Sequence, residues 1–191
     1  MRTFVAIELN EICRRNLSTA IERMQDALDG IKWTDPENAH LTLKFIGQLD
    51  ESVVPRATEI ITQAASDTSP FPMRLRGLSA FPSESRPRVI FARVNGPGNV
   101  LPDLANAIDL QLARELDIER ETRDFVGHVT LGRVKDNAGC PPVKELARTA
   151  GESDFGEVEV EEIVLMKSDL TPRGAVYTPL DTIPLEEAAD S

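Results

Sequence analysis

The sequence predicts an α+β fold in which two similar lobes of antiparallel sheet and helices surround a central cleft. Strand-like and helical segments alternate, and many of the connections between them are short, which favours antiparallel pairing. An amphipathic helix, a turn and a strand that contains a histidine motif occur twice, with the motifs at 40–43 and 128–131. The 191 residues, 41% of them hydrophobic, suit a single bilobal domain over 1–191 with a substantial core.

The first half of the chain is expected to contain two helices. An apolar stripe predicts the first, which begins after an N-cap at Asn10 and ends before Gly30. The second is expected to have Asp50 or Ser52 as its N-cap and tolerates Pro55 in its first turn. Alternating or continuous apolar patterns predict strands over 3–9, 31–34 and 39–46.

The second half is expected to contain five strands and two further helices. The strands are predicted over 73–80, 89–94, 125–134, 158–166 and 175–180. The segment 81–88, with its prolines, serines and two arginines, is expected to be a loop. Helices are predicted over 101–116, after an N-cap at Asn99, and over 141–149. Residues 186–191 are expected to form an acidic frayed tail.

Composition limits the possible partners and location of the protein. The net charge of −11 and the pI near 4.7 argue against broad binding to long nucleic acid, which requires a basic face. No apolar run is long enough to cross a bilayer, and the first residues lack the features of a signal peptide. We therefore expect a cytoplasmic protein without membrane contact, and a monomer. Cys13 and Cys140 form no C-x-x-C motif and are expected to be reduced and structural.

The two histidines of the chain each open the same tetrapeptide, His-x-Thr-Leu. A lone histidine is usually a surface or core residue, but two identical motifs in a chain with no other histidine favour a function. Side chains at i and i+2 of a strand lie on the same face. Each strand therefore presents one imidazole and one hydroxyl to a shared surface, and two imidazoles can serve as acid and base near neutral pH. The candidate residues are His40 and Thr42 in one strand and His128 and Thr130 in the other.

Two cations follow the motifs. Lys44, at i+4 from His40, is expected on the same face, where it is either a phosphate contact or a solvated lysine. Arg133, at i+5 from His128, is expected on the opposite face unless a bulge near Gly132 or the end of the strand reverses the alternation.

Together these features resemble the 2H phosphoesterases, and more closely their branch of RNA 2′,3′-cyclic phosphodiesterases, also known as 2′-5′ RNA ligases. The two histidine motifs are the specific part of the resemblance. Supporting segments lie at 4–7, 33, 37–47, 87–90, 125–133, 165–170 and 174–177. Gly127 stands where the family usually has proline, which predicts a less rigid approach to His128.

The resemblance implies metal-independent hydrolysis of 2′,3′-cyclic phosphate ends of RNA or nucleotides to 2′-phosphates. It implies that His40 is the proton donor and His128 the proton acceptor, although the residues alone do not decide between these roles. No cofactor is implied, and the reverse reaction would join ends through a 2′-5′ bond without ATP. The threonine hydroxyls suit the non-bridging oxygens of the phosphate, so the expected phosphate-binding residues are Thr42, Thr130, Lys44 and Arg133.

Other functions remain open. The same site chemistry suits ADP-ribose cyclic phosphate or 2′-5′ oligonucleotides, since only the walls of the cleft would differ. A noncatalytic module that binds RNA ends is a third hypothesis, which two titratable groups in one site argue against. Phe125 and Tyr177 are expected either to stack on a base or to pack in the core.

Overall fold

The computed structural model describes residues 1–136, 138–151, 153–172 and 174–187. Within these ranges the helices are α1 (Glu11–Ala27), α2 (Val54–Ala65), α3 (Val100–Leu116) and α4 (Val143–Ala150). The strands are β1 (Arg2–Glu8), β2 (Ile31–Trp33), β3 (His40–Gln48), β4 (Phe71–Ser83), β5 (Arg86–Asn95), β6 (His128–Val134), β7 (Asp154–Val160), β8 (Glu162–Thr171) and β9 (Gly174–Pro184). In the described part of the chain, no helix has the length and apolar character needed to span a membrane.

The strands form one antiparallel sheet in the order β7-β4-β5-β6-β3-β1-β8-β9, with β2 paired to β6. The β3–β6 junction divides this order into two sets of four strands, and β2 adds a ninth strand beside β6. Along the chain, a succession of strand, helix, motif strand and helix occurs twice, as β1-α1-β3-α2, with the short β2 before β3, and as β5-α3-β6-α4. The α+β prediction with two similar lobes is therefore confirmed, and the lobes are the two halves of a continuous sheet.

The helices pack on one face of this sheet and leave the other face for the histidine motifs. Helix α1 packs against α4 and β7, while α2 packs against α3 and β9. The apolar residues that alternate with the motif residues are fully or almost fully buried in the same core: Leu41, Leu43, Val129 and Leu131. The alternation within each motif thus places its apolar residues toward the helices and its polar residues on the opposite face.

The start of α1 follows the local chemistry that the sequence predicts. Asn10 is extended, and its side-chain oxygen accepts a hydrogen bond of 2.9 Å from the backbone N–H of Cys13. This bond satisfies one of the donors that a helix leaves unpaired at its N-terminus. Asn99 is the N-cap residue of α3, as predicted, but its side chain makes no capping hydrogen bond.

Two other segments differ from the predictions. The segment 81–88 is not a loop, because β4 and β5 continue through it as a hairpin that turns only at 84–85. Its prolines face each other as the pair Pro82–Pro87, near the hairpin end. One strand is predicted over 158–166, but the structure has two there, β7 and β8, which are separated at Glu161. Strand β7 pairs with β4 and strand β8 with β1, each antiparallel. Of the predicted tail, Glu186 and Glu187 are exposed, and 188–191 lie outside the described residues.

Candidate active site

The first motif histidine is held by its own strand and by two aromatic rings. His40 Nδ1 lies 2.8 Å from the backbone oxygen of Asn38, and His40 Nε2 lies 3.0 Å from Thr42 Oγ1. The ring of Phe4 stacks on the imidazole at a centroid distance of 4.8 Å. Tyr177 meets it edge-on at 5.0 Å. These contacts fix both the position and the plane of the imidazole.

The second motif histidine has an equivalent environment in the other lobe. His128 Nδ1 lies 2.6 Å from the backbone oxygen of Val126. Two phenylalanine rings meet the imidazole edge-on, Phe81 at 5.2 Å and Phe91 at 5.3 Å. The sequence motifs do not identify Phe4, Phe81 or Phe91 as part of the site. Nothing in the sequence distinguishes them from core phenylalanines, because their partners are brought together only by strand pairing.

The backbone contacts fix the tautomer of each imidazole. A carbonyl oxygen only accepts hydrogen bonds, so Nδ1 of each neutral histidine carries the proton and donates it to the residue two positions earlier. The Nε2 atom of each ring is left as the acceptor. At His40, Thr42 is within reach to donate its hydroxyl proton to that atom. Both motifs are thus prepared to take a proton at Nε2, or to give one when charged.

Strand register places the two motifs side by side. Strands β3 and β6 are antiparallel and pair through Leu41 and Val129. In each strand, the histidine and the threonine lie on either side of this paired residue, and both point to the face opposite to it. The alternation therefore brings together the two imidazoles and two hydroxyls predicted for the site: His40, Thr42, His128 and Thr130.

A one-residue bulge at the last residue of each tetrapeptide changes which of the following residues lie on the same face as the histidine. In β3, Val5 and Ala6 of the neighbouring strand pair with Lys44 and Thr42, so Leu43 is the extra residue. In β6, Ile90 and Phe91 pair with Gly132 and Thr130, so Leu131 is extra. A bulge reverses the alternation beyond it. The two cations after the motifs therefore lie on the faces opposite to those that simple alternation predicts.

Arg133 gains a place at the site through this bulge. It is exposed, and beyond Leu131 it returns to the face of Thr130. The sequence places Arg133 at the site only if the strand has a bulge near Gly132 or ends there. The structure has that bulge one residue earlier, at Leu131. The residue at the equivalent place in β3 is Phe45, which is 58% exposed and lies 6.0 Å from Phe4, ring centroid to ring centroid.

Lys44, by contrast, points away from the site, and the expected phosphate contact is wrong. It is only 6% exposed, on the helix side of the sheet, because the bulge at Leu43 moves it there. Its ammonium donates to Asp109 Oδ1 at 2.6 Å and to the backbone oxygen of Glu119 at 2.7 Å. Asp109 also accepts from Arg120 Nε and from the N–H of Glu121, each at 3.0 Å. Lys44 therefore ties β3 to α3 and to the segment that leads to β6.

Burial and hydrogen bonding shift the pKa values of two groups, His40 and Asp109. Desolvation lowers the pKa of His40, although the carbonyl of Asn38 and the charge of Glu8 act in the opposite direction. Burial by itself would raise the pKa of Asp109. The hydrogen bonds from Lys44 and from its other donors outweigh that effect, and the pKa of Asp109 is lowered. His40 is thus more readily neutral than an exposed histidine, and Asp109 stays ionised.

Gly127, which precedes the second motif, is closely packed. Its backbone oxygen accepts a hydrogen bond of 3.0 Å from the N–H of Val94. A Cβ atom at this position would lie 2.5 Å from the backbone oxygen of Val94, which is closer than real Cβ contacts. The glycine therefore permits a tight approach to β5, and the approach to His128 is held by this pairing.

We expect Gly127→Ala to lower kcat by about tenfold to 10²-fold, because the added methyl must displace Val94 or the backbone that carries His128. Steady-state kinetics on a cyclic-phosphate substrate measures the effect. Gly139→Ala is the matched control, since a Cβ there meets nothing within 4 Å. Equal activity of the two variants would show that the approach of Gly127 to Val94 does not position the motif.

Two cavities of very different size lie near the motifs. One of about 90 Å³ lies beside His40, between Phe4, Tyr177 and Arg14. Another of about 580 Å³ is lined by residues of β4 and β5, by the start of α3 and by 125–127, the segment that leads to His128. Among the described residues, no three side chains of histidine, cysteine, aspartate or glutamate come close enough together to hold a metal ion.

Comparison with known proteins agrees with this geometry. The model of the LigT-like phosphoesterases matches residues 7–91 and 100–177. An RNA 2′,3′-cyclic phosphodiesterase from Archaeoglobus fulgidus is 34% identical over 94% of this chain and 98% of its own. One of the same name from Methanothermobacter thermautotrophicus is 31% identical over 97% of this chain and 99% of its own.

Solved structures agree as well. A crystal structure from Thermus thermophilus matches with a TM-score of 0.80 at 33% identity, over 97% of this chain and 98% of that one. The structure of E. coli LigT complexed with 3′-AMP has a TM-score of 0.75 at 23% identity with the same coverage, which shows a shared fold. Both histidine motifs fall within the family match, as the resemblance predicts. The protein therefore belongs to the LigT-like family of 2H phosphoesterases.

Proposed function

We propose that the protein is a cyclic phosphodiesterase that opens 2′,3′-cyclic phosphate ends of RNA or nucleotides to 2′-phosphates, without a metal ion. The single observation that carries the proposal is the pairing of two His-x-Thr motifs across the β3–β6 junction. In each, the carbonyl partner of Nδ1 leaves Nε2 for proton transfer. The names of the relatives from Archaeoglobus and Methanothermobacter support the same substrate class.

The proposed mechanism assigns one proton transfer to each imidazole. His128 accepts a proton from the attacking water, and His40 donates one to the departing ribose oxygen, as the family resemblance implies. The hydroxyls of Thr42 and Thr130 donate hydrogen bonds to the non-bridging oxygens, where negative charge accumulates in the transition state. Arg133 supplies a positive charge on the same face. With a 5′-hydroxyl as the nucleophile in place of water, the same site would join two ends through a 2′-5′ bond without ATP. The bond from phosphorus to the 3′ oxygen breaks as the bond to the 5′ oxygen forms, His128 takes the proton of the 5′-hydroxyl, and His40 protonates the departing 3′ oxygen.

The decisive experiment supplies the purified protein with an oligonucleotide that ends in a 2′,3′-cyclic phosphate, in the presence of EDTA. We expect a 2′-phosphate product at a rate that EDTA leaves unchanged, because the two imidazoles supply both the acid and the base. Phosphorus NMR of the product distinguishes 2′- from 3′-phosphate. Binding without turnover would instead favour a noncatalytic module. Selective turnover of ADP-ribose cyclic phosphate would favour the alternative substrate.

The pH dependence of kcat/KM is expected to be bell-shaped, because the working enzyme has one neutral and one protonated imidazole. Burial lowers the pKa of His40. The alkaline limb of the bell, which reports the loss of the proton from the proposed donor His40, should therefore have an apparent pKa below the ordinary histidine value of 6.5. Tyr177→Ala exposes His40 and should move that limb toward 6.5. A rate that rises steadily through pH 9 would contradict the mechanism and point to hydroxide attack.

A further inference from the structure

A cluster of charged side chains borders the imidazole proposed as the proton donor. Glu8, Arg14 and Glu37 line the cavity of about 90 Å³ that also adjoins His40. Arg14 contacts both carboxylates, with Nη2 3.6 Å from Glu8 Oε1 and Nη1 3.7 Å from Glu37 Oε2. The two-histidine mechanism assigns no part to these three residues, although they share a cavity with its acid.

Strand register places Glu8 beside His40. The two residues are direct partners in the antiparallel pairing of β1 with β3, and the Cβ atoms of such partners are about 4.5–5.5 Å apart. Phe4, which stacks on the imidazole, lies on the same face of β1 as Glu8, because four residues separate them along the strand. Register and alternation therefore agree that the Glu8 side chain lies on the face that carries the imidazole.

Arg14 holds Glu8 only loosely. Its contacts of 3.6 and 3.7 Å with the two carboxylates are longer than a charge-assisted hydrogen bond of about 2.7–2.9 Å. In the part of the chain that the structure describes, Nε of Arg14 is buried without a hydrogen-bond partner. No close ion pair cancels the charge of Glu8, so that charge still acts on His40, reduced by the solvent that reaches this 47% exposed side chain.

The negative charge matters because burial opposes the proton that an acid must carry. Desolvation lowers the pKa of His40, whereas the carbonyl of Asn38 and the charge of Glu8 raise it, and the charge of Arg14 lowers it. Several elements of the described chain bring charged or titratable groups toward His40: Glu8 from β1, Arg14 from α1, Glu37 from the turn Pro36–Asn38, His128 from β6 and Tyr177 from β9. Glu8 is the carboxylate among them that is paired directly with His40.

We propose that Glu8 is a positioning residue for the reaction, whose carboxylate keeps the proton on His40 until the ribose oxygen departs, and that Arg14 limits this effect. The inference rests on the proposed cyclic phosphodiesterase activity with His40 as its acid. It adds two residues outside the histidine motifs that set how firmly the acid holds its proton. Because Glu8 and Arg14 carry opposite charges, their removal should have opposite effects.

The test compares the pH profiles of kcat/KM for the wild type, Glu8→Gln and Arg14→Met, since each substitution removes a charge and keeps the bulk of the side chain. We expect the alkaline limb to move to lower pH in Glu8→Gln and to higher pH in Arg14→Met. On that limb the first variant should be slower and the second faster than the wild type by about two- to fivefold, the size expected for charges about 4–5 Å apart beside solvent.

Glu11→Gln is the matched control, because it removes the same charge from an 87% exposed residue of the helix that carries Arg14. It should leave the profile unchanged. Variants of Glu8 and Arg14 that lower the maximal rate but leave the limb in place would overturn the proposal, since a loss of structure alone gives that result.

Proton NMR makes the comparison without turnover, because the chain has only two histidines and His128→Ala assigns their ring signals. The titration midpoint of His40 should fall in Glu8→Gln and rise in Arg14→Met. An unchanged midpoint in both variants would overturn the proposal whether or not the protein hydrolyses cyclic phosphates. If the midpoints move as expected but no cyclic phosphate is hydrolysed, the control of His40 by Glu8 stands and the proposed activity fails.

Discussion

His40→Ala and His128→Ala are each expected to lower kcat on a cyclic-phosphate substrate by about 10²- to 10⁴-fold, the usual loss when a general acid or base is removed. The reason is that each imidazole presents Nε2 to the same junction while its Nδ1 is held by a carbonyl, so neither duplicates the other. Single-turnover kinetics measures the chemical step directly. Thermal unfolding of both variants checks that the activity is not lost through a loss of stability when the aromatic contacts of each imidazole are removed.

The residual activity of these variants also decides which imidazole is the acid. Removing the acid should abolish the alkaline limb of the pH profile, and removing the base should abolish the acidic limb. We expect the alkaline limb to vanish in His40→Ala and the acidic limb to vanish in His128→Ala. The reverse pattern would exchange the two roles. Wild-type rates in either variant would end the two-histidine mechanism.

Asp109→Ala is expected to lower the free energy of unfolding by about 3–5 kcal/mol, the usual cost of removing one partner of a buried ion pair. Lys44 is 6% exposed and would lose the carboxylate that faces it at 2.6 Å. The N–H of Glu121 would lose its acceptor too. Urea denaturation monitored by tryptophan fluorescence measures the change.

Two comparisons make this prediction specific. Asp103→Ala removes an exposed aspartate of the same helix and should change stability little. The double variant Lys44→Met with Asp109→Leu replaces the pair by apolar groups and should be more stable than Asp109→Ala alone. If Asp109→Ala were no more harmful than Asp103→Ala, the buried pair would not stabilise the fold.

The same cluster gives the protein a defined acid sensitivity. Folding lowers the pKa of Asp109 below its ordinary value of 3.8. Its contribution to stability is therefore complete above that value and is lost as the pH falls below it, toward the folded-state pKa. The stability difference between the wild type and the apolar double variant should shift in favour of the variant in that acidic window.

The motif residues were predictable because they depend on local alternation alone. His40 with Thr42, and His128 with Thr130, need only two residues of regular strand to share a face, and both strands supply that. The N-cap at Asn10 was likewise predictable, since a cap depends on its own side chain and the next three residues. The family resemblance rested on the same short segments and was confirmed.

Residues beyond the bulges were not predictable in the same way. Leu43 and Leu131 are ordinary strand residues, and their status as extra residues appears only in the pairing with β1 and β5. The bulge in β3 is the reason that Lys44 was predicted on the wrong face. The bulge in β6 is the reason that Arg133 could be placed at the site only on a condition. The loop expected over 81–88 failed for a related reason: prolines and serines favour turns, but pairing between β4 and β5 overrides that preference.

The junction between the two lobes has a mechanical consequence. A single residue pair, Leu41 with Val129, joins β3 to β6, so a backbone ladder does little to set the gap across which the phosphate must fit. The bonds from Lys44 to Asp109 and to Glu119 cross from β3 to α3 and to the segment before β6. We therefore expect the spacing of the two imidazoles to depend on packing behind the sheet, where a mutation would change the reaction without touching any residue that meets the substrate.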